Sequence, residues 1–388
     1  MMKQIIPWCL LTSLMLQGFA QHHGSDNHSG KNLKFSALGG PGFNPDVGVL
    51  IGADAVMTFS TNPVDTTIKR SVVPFAMAYF IKGGGLINIR PQLFVKKDRI
   101  RIFGIVSYLN QLDNYYGVGF DTNDERERGE ETTEYRLLDF TFNPIVLFRW
   151  KMSDFFYGLG PLIKDSDMSS LSEGVLNDDS FQEEPLSEDG VHYFNSGITL
   201  RFNYDTRDVP ANAHKGVFFG FDLNYYTKTV GSDQNFSVFL FDYRQYKRIN
   251  AFGAKRTLAW NVSSRMSTGD IPLTSLSTLG SSFDLRGLYA GQYRDKHTAY
   301  ALLEYRHDFD FGDRNKLIKL LSRTGFVAWS GLGFLSSGFN ESAERGTLPN
   351  FGAGFRFELQ PRINFRIDVG RDPTNNQTLV YLNVTEAF

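Results

Sequence analysis

The stretch VFFGFDLNY at residues 217–225 carries the pattern that decides the fold of this 388-residue chain. Apolar side chains stand at every second position, and glycine, aspartate and asparagine separate them from residue 220 onward. The stretches 198–205 (ITLRFNYD) and 362–369 (RINFRIDV) alternate in the same way. Because successive side chains of a β-strand point to opposite faces, each stretch predicts a strand with one apolar and one polar face.

The polar faces of these strands carry charges of both signs, for example Arg366 and Asp368. A soluble β-sandwich also alternates, with its polar face in water. Recurrent opposite charges fit instead the wet lumen of an all-β, transmembrane antiparallel β-barrel. We count about sixteen strands, an even number as in single-chain bacterial barrels. They are predicted at 33–40, 46–59, 69–81, 86–97, 99–110, 134–150, 154–163, 191–205, 216–228, 236–249, 255–267, 298–309, 323–335, 350–359, 362–370 and 378–388.

The lengths of the connections support the barrel. The four longest gaps, 111–133, 164–190, 268–297 and 336–349, all follow odd-numbered strands in this count. Turns after even-numbered strands are mostly short. Barrels have short periplasmic turns and long external loops, whereas a sandwich has no reason to sort its loops in this way.

Two segments near the short turns stand out. The turn at 310–322 is longer than its neighbours, and its leucines and Ile318 predict a short amphipathic helix on the membrane surface. The last predicted strand carries Val380, Leu382 and Val384 at alternate positions and reaches Phe388. A terminal aromatic on such a strand is the signal that outer-membrane barrels present to their assembly machinery, although Glu386 interrupts the apolar series.

Residues 1–20 predict a cleaved signal peptide, with Lys3 before a short apolar core and cleavage after Ala20. Cys9 lies inside this segment, so the exported chain would contain no cysteine and no disulfide. Residues 21–31 are polar and contain three histidines; they predict a flexible periplasmic lead-in, with a metal-binding tract as the alternative. Residues 32–388 would form the barrel.

Composition narrows the function classes. The net charge of −2 predicts no nucleic-acid partner, and the aromatic content of 14% favours strands and bilayer interfaces. The histidines are scattered over the tail, strand starts and turns, and none sits in a nucleophile motif. We therefore expect a protein that is not an enzyme and binds no cofactor.

Four segments, taken in order, resemble the BamA/TamA-type outer-membrane assembly and translocation barrels, also called the bacterial surface antigen family. The most specific is 204–210 (YDTRDVP) with the following Lys-Gly, which contains Asp205, Arg207, Asp208 and Gly216. The others are 115–120 (YYGVGF), 279–295 with the sequence LRGLY at 285–289, and 352–370. The resemblance runs from about residue 40 to the end.

The resemblance implies that the loop at 268–297 folds back into the lumen, where Arg286, Gly287 and Tyr289 anchor it. A buried guanidinium needs carboxylate partners. Family members carry an aromatic-x-Asp element near 326–328, but this chain has Ala328 there. Glu358 or Asp368, both on the lumen face by alternation, is expected to replace that partner. Glu304, Arg306 and Asp308 are placed on the same face; the alternative is that all these charges only solvate the lumen.

Members of the family that fold other barrels carry periplasmic POTRA modules. Only about eleven residues separate the predicted cleavage site from the first strand, so we expect a POTRA-less member. The expected function is outer-membrane protein assembly or translocation, directly or as an accessory. The alternatives are a structural subunit of a larger outer-membrane complex and a passive pore. Expected partners are outer-membrane lipid or lipopolysaccharide, protein subunits and unfolded barrel clients.

Overall fold

The computed structural model describes residues 32–44, 46–64, 70–123, 127–185, 187, 190–210, 212–249, 256–312, 314–339, 345–360, 363–384 and 386–388. The predicted signal peptide with Cys9, and the predicted lead-in with its three histidines, lie outside the described residues.

The described chain is dominated by one antiparallel sheet of seventeen strands, with a separate two-stranded sheet. The strands are β1 Lys34–Asn44, β2 Gly48–Phe59, β3 Ser71–Phe80, β4 Gly85–Ile89, β5 Gln92–Val95, β6 Ile100–Asn114, β7 Glu134–Arg149, β8 Phe155–Ser169, β9 Gly190–Asp205, β10 Gly216–Tyr226, β11 Phe236–Arg248, β12 Arg256–Gly269, β13 Ser277–Leu279, β14 Tyr293–Asp295, β15 His297–Asp308, β16 Thr324–Ser336, β17 Arg345–Gln360, β18 Ile363–Asp372 and β19 Gln377–Val384.

The large sheet is a meander in which each strand pairs with the next along the chain. Strand β12 pairs with β15, so the β13–β14 hairpin is left out of the meander. Strands β4 and β5 lie end to end between β3 and β6 and occupy one position. The sixteen predicted positions are therefore all filled. The predicted strand at 86–97 is interrupted at Arg90-Pro91, where the proline has no N–H for the ladder.

The polarity of the two faces of the sheet is the reverse of that in a soluble protein. On β15 and β16, Leu303 is 50% exposed and Phe334 is 44% exposed, whereas Glu304 is fully buried and Arg306 is 3% exposed. Apolar side chains point outward and charged side chains point inward, which suits a sheet surrounded by lipid and closed around a polar interior. The predicted transmembrane barrel is confirmed.

The connections divide the structure into two rims. The three longest, 115–133, 170–189 and 270–296, lie at one end, here called the long-loop rim. The chain enters β1 and leaves β19 at the other end, here called the short-turn rim. The predicted long gap at 336–349 shrinks to 337–344, because β16 and β17 extend further than their sequence pattern indicates.

In the described chain, three short α-helices lie at the rims: α1 (Glu173–Leu176), α2 (Asp179–Gln182) and α3 (Lys316–Leu321). Helices α1 and α2 bury Val175 and Phe181 in a cluster with Tyr115 and Tyr193, so this external loop covers part of the interior. Helix α3 lies in the turn at which the sequence predicts an amphipathic helix. In the described part of the chain, no helix is long and apolar enough to cross a membrane.

Candidate functional site: the lock of the inward loop

The connection between β12 and β15 reaches into the interior of the barrel. Its base is the β13–β14 hairpin, in which Ser277 pairs with Asp295 and Leu279 with Tyr293. Between these strands, residues 285–288 are buried. Leu285 and Leu288 belong to a hydrophobic cluster that also contains wall residues of several strands. The predicted inward loop is therefore held by apolar contacts as well as by charge.

Arg286 is the centre of this site and has no exposed surface. Its Nη1 lies 2.9 Å from a carboxylate oxygen of Asp368 on β18, and its Nη2 lies 2.7 Å from one of Glu304 on β15. The guanidinium also stacks 3.6 Å from the ring centre of Trp329 on β16. The Asn350 side chain on β17 donates a hydrogen bond to the Arg286 carbonyl. One loop residue thus contacts four consecutive strands.

The two carboxylates that bind Arg286 are shared with other buried guanidinium groups. Asp368 also binds Arg356 at 2.5 Å and Arg366 at 2.6 Å, and Glu304 binds Arg306 at 2.7 Å. Each of these charges is desolvated, so each depends on its partners. The arrangement is a connected network, and removal of one member leaves the others buried and undercompensated.

The structure brings Arg286 and Asp368 together, as one of the two predicted pairings requires. Glu304, which alternation places on the lumen face, is the second partner, although alternation alone does not pair it with Arg286. Glu358 lies elsewhere: it is near the short-turn rim of β17, where its backbone N–H donates to the carbonyl of Arg323. Ala328 is exposed on the lipid face, so that residue does not mark a lost partner. The side chain that meets Arg286 from β16 is the neighbouring Trp329.

Gly287 permits the loop to lie directly on the strands. Its φ of +122° is a conformation that L side chains rarely adopt, and a Cβ there would lie 2.9 Å from the backbone carbon of Arg371. Gly370 approaches from the wall, where a Cβ would lie 2.3 Å from the Arg286 carbonyl oxygen. Tyr289, the third predicted anchor, lies at the outer edge of the loop, with the guanidinium of Arg128 4.5 Å from its ring centre.

The loop also contacts both ends of the meander, which no local sequence pattern predicts. The backbone N–H of Gly287 donates to the Tyr381 hydroxyl at 2.8 Å, and the Gln377 amide donates to the Gly287 carbonyl at 2.7 Å. Both of these side chains belong to β19. The Ala290 N–H donates to Asp46, in the turn between β1 and β2, at 3.3 Å.

Burial and neighbouring groups act in opposite directions on the carboxyl of Asp46. Burial raises the pKa of the Asp46 carboxyl, while the Arg128 guanidinium and the Ala290 N–H act in the opposite direction. The Arg128 Nη1 lies 3.7 Å from Asp46 Oδ1. The external loop that carries Arg128, the β1–β2 turn and the inward loop therefore meet at one place on the long-loop rim.

The motif at 205–216 forms a turn at the short-turn rim. Asp205 and Arg207 make a salt bridge at 2.8 Å, and the Asp208 carboxylate accepts the backbone N–H of His214 at 3.0 Å. Gly216 has φ +108°, and a Cβ there would lie 2.4 Å from the Thr206 carbonyl oxygen. These contacts order the turn; none of them reaches Arg286.

Phe388 is not on a strand. Strand β19 ends at Val384, so the predicted strand to 388 is too long. The physical reason is Glu386, which turns inward to bind Arg356 at 2.9 Å. Phe388 is then 5% exposed, with its ring centre 6.2 Å from that of Tyr246, and its backbone oxygen accepts from Arg306 at 3.0 Å.

Three solved structures similar to this chain are one BamA and two CdiB proteins. BamA from Haemophilus ducreyi lacking POTRA domains 1-3 matches with TM-score 0.60 at 10% identity, over 91% of this chain and 70% of that one. CdiB from Escherichia coli matches with TM-score 0.59 at 11% identity, over 92% of this chain and 63% of that one. CdiB from Acinetobacter baumannii matches with TM-score 0.52 at 10% identity, over 92% and 60%. This chain spans less than two thirds of either CdiB chain.

No curated protein matches the sequence. A family model described as the Omp85 superfamily domain matches residues 12–318, most of the chain. This match agrees with the resemblance carried by the LRGLY segment, whose arginine the structure buries in the barrel. The chain is an outer-membrane β-barrel and belongs to the Omp85 superfamily.

Proposed function

We propose that this barrel acts in outer-membrane protein assembly or translocation, and that it works at the seam between β1 and β19. Among the described residues, β1 pairs with β2 and β19 pairs with β18, and no pairing joins β1 to β19. Strand edges present backbone N–H and C=O groups that can template another strand. A client segment in an extended conformation is the ligand that such an edge suits.

One observation carries the proposal: a four-residue piece of the inward loop hydrogen-bonds both flanks of the seam. Residues 287–290 contact Tyr381 and Gln377 on one side and Asp46 on the other. Arg286, which precedes these four residues, is held in the buried ion network. A displacement of β1 or β19 at the seam would therefore pull on the loop segment that Arg286 anchors. The loop is thus suited to hold the two end strands in a defined relation until a client engages them.

The interior argues against a passive pore. Arg286 is fully buried among side chains of the barrel interior, and the α1–α2 loop packs on the interior aromatic cluster at the long-loop rim. Planar-bilayer recordings test this point. We expect low conductance for the wild-type barrel and larger, fluctuating conductance for Arg286→Ala. Large, steady conductance of the wild type would support the pore instead.

Depletion of the protein, followed by quantitative proteomics of the outer membrane, tests the assembly role. We expect a specific subset of outer-membrane proteins to fall, and to recover with the wild-type chain. Tyr381→Phe, which removes the hydroxyl that binds the loop, should restore them only in part. Tyr225→Phe is the matched control, because Tyr225 is 47% exposed on the lipid face. An unchanged outer-membrane composition would refute the assembly role.

Affinity isolation in mild detergent distinguishes an assembly role from the alternative, a structural subunit of a larger outer-membrane complex. A stoichiometric partner, found together with unchanged outer-membrane composition on depletion, would identify the chain as a structural subunit of a larger complex.

A further inference from the structure

Helix α3 and the turn around it form an exposed amphipathic surface at the short-turn rim. Its apolar side chains are largely exposed: Phe311 is 54%, Leu317 65%, Leu320 46% and Leu321 44% exposed. No residue of this helix is buried. In a molecule whose other large exposed apolar side chains mostly face lipid, four such residues on one turn require a partner.

The leucines share one face of the helix. Positions 317, 320 and 321 follow the i, i+3, i+4 spacing, so their side chains fall within about 100° of arc. Ile318 is half-buried and is the least exposed residue of the helix. Lys316 is exposed at one edge of the leucine face, and Lys319 is exposed nearly opposite that face, about 100° from Leu320. The long, flexible side chains of both lysines can extend from these positions toward a polar surface.

The apolar face continues the lipid-facing surface of the barrel. Phe326 on β16, which is 39% exposed, stacks with His307 on β15 at 4.8 Å between ring centres. His307 contacts Phe309 at 5.0 Å, and Phe309 stacks on Phe311 at 5.4 Å. The chain of rings therefore runs from the outer wall of the barrel to the turn that carries α3.

The end of this chain of rings is fixed beside the helix. The backbone N–H of Phe311 donates to the hydroxyl of Ser322, the residue that follows α3, at 3.0 Å. The Asn315 side chain caps the other end of the helix by accepting the Ile318 N–H at 2.9 Å. The surface is thus a folded feature of the rim, contiguous with the membrane-embedded wall.

The charged residues around α3 indicate what binds this surface. Arg314, Lys316 and Lys319 are exposed on this surface. The same turn carries two acidic residues, the exposed Asp310 and, outside the described residues, Asp313, so basic residues remain in excess. Basic amphipathic helices of low net hydrophobicity bind membranes by inserting their apolar face, and their basic residues are attracted to anionic headgroups. We infer that α3 is an interfacial anchor, which inserts Leu317, Leu320 and Leu321 into the leaflet at the short-turn rim and binds the phosphates of anionic phospholipids through Lys316 and Lys319.

Depth measurements test the insertion. Single spin labels are placed at Leu317→Cys, Lys319→Cys and Leu320→Cys in a Cys9→Ser background, and the barrel is reconstituted into phosphatidylethanolamine vesicles with or without phosphatidylglycerol. We expect labels at 317 and 320 to be accessible to oxygen and shielded from a water-soluble relaxant, and the label at 319 to show the reverse. Equal access of the relaxant to all three labels in both vesicles would overturn the proposal.

Lipid retention tests the charge. Native mass spectrometry compares the phosphatidylglycerol that stays bound to the wild type and to the double variant Lys316→Gln/Lys319→Gln. We expect affinity to fall roughly five-fold per lysine removed, as for one basic residue at a charged membrane surface. The control is Lys96→Gln/Lys97→Gln, two exposed lysines in the β5–β6 turn at the same rim. An equal loss in the control, or photo-crosslinking of α3 to a protein in cells instead of to lipid, would refute the assignment.

Discussion

The hydroxyl of Tyr381 donates to the carbonyl of Leu288 at 2.6 Å and accepts the N–H of Gly287 at 2.8 Å. One phenol of the last strand thus satisfies two consecutive backbone groups of a loop that lies 93 residues earlier in the chain. These backbone groups are buried, so their free energy depends on this partner. The contact joins the position of the inward loop to the position of β19.

Tyr381→Phe should weaken this joint without changing the shape of the side chain. Two buried backbone groups lose their partner, which costs about 1–3 kcal/mol. We expect faster hydrogen exchange at residues 285–290, measured by mass spectrometry, with the sheet itself unchanged. Tyr225→Phe on the lipid face provides the baseline; equal exchange in the two variants would contradict the role of the Tyr381 hydroxyl.

Arg286→Ala should destabilise the barrel more than the loss of a partly exposed ion pair. It leaves Asp368 and Glu304 buried with fewer partners, and breaking a buried pair in this way costs about 3–5 kcal/mol. Arg201→Ala is the comparison, because Arg201 and Asp222 are 29% and 20% exposed and such pairs contribute about 1 kcal/mol or less. Denaturant unfolding in detergent micelles measures both; similar losses would show that the Arg286 network contributes little.

Gly287→Ala should displace the loop by steric conflict. The new Cβ would meet the backbone of Arg371 and Asp372 at 2.9 Å, in addition to the strain of a positive φ. Gly291→Ala separates the two causes, since Gly291 lies in the same loop and has φ +62°, but the nearest atom to its added Cβ is a methyl carbon of Thr278 at 3.7 Å. We expect protease sensitivity of the inward loop to rise in the first variant only. If both variants behave alike, backbone strain and not the close approach governs this position.

The α1–α2 loop should dock less firmly as the pH rises. Burial raises the pKa of Glu184 from 4.5 to about 7, against the opposing hydrogen bond from the Leu273 backbone. In the undocked loop this carboxyl ionises at lower pH than in the docked loop. The free energy of docking is therefore most favourable below pH 4.5, and this contribution is lost as the pH rises through 7. Hydrogen exchange of residues 173–185, corrected for its intrinsic pH dependence, should increase between about pH 5 and about pH 8.

Glu184→Gln should remove that increase, because the amide cannot ionise. Glu183→Gln, a change of the same charge at an exposed neighbour, should retain it. A pH response that survives in Glu184→Gln would show that another group controls the docking of this loop.

The sequence predicts the sheet well because alternation is a local property. All sixteen strand positions follow from period-two patterns, and the interruption at Pro91 is a local effect that the same pattern hides. That the β12–β15 loop folds into the barrel is predicted by the family resemblance and not by alternation. Local patterns place Glu304 and Asp368 on the lumen face, but they do not specify which strands converge on Arg286.

The errors have physical causes of the same kind. The family resemblance predicts that Ala328 marks a vacant partner position, but alternation along β16 turns this residue to lipid and presents Trp329 to Arg286. The strand at the C-terminal end stops at Val384 because the buried Arg356 attracts Glu386, and this attraction arises from a different strand. The contacts of Tyr381 and Asp46 with the loop depend on the curvature of the whole sheet, which no local pattern contains.

The hydrogen bond between Ala290 and Asp46 spans 244 positions of the chain. A contact of that span requires the first hairpin and the middle of the polypeptide to lie side by side, and the adjacent contact with Tyr381 requires the last strand as well. The docked loop therefore depends on both ends of the sheet at once. We expect a barrel in which either end is displaced to undock the loop and to make Arg286 accessible.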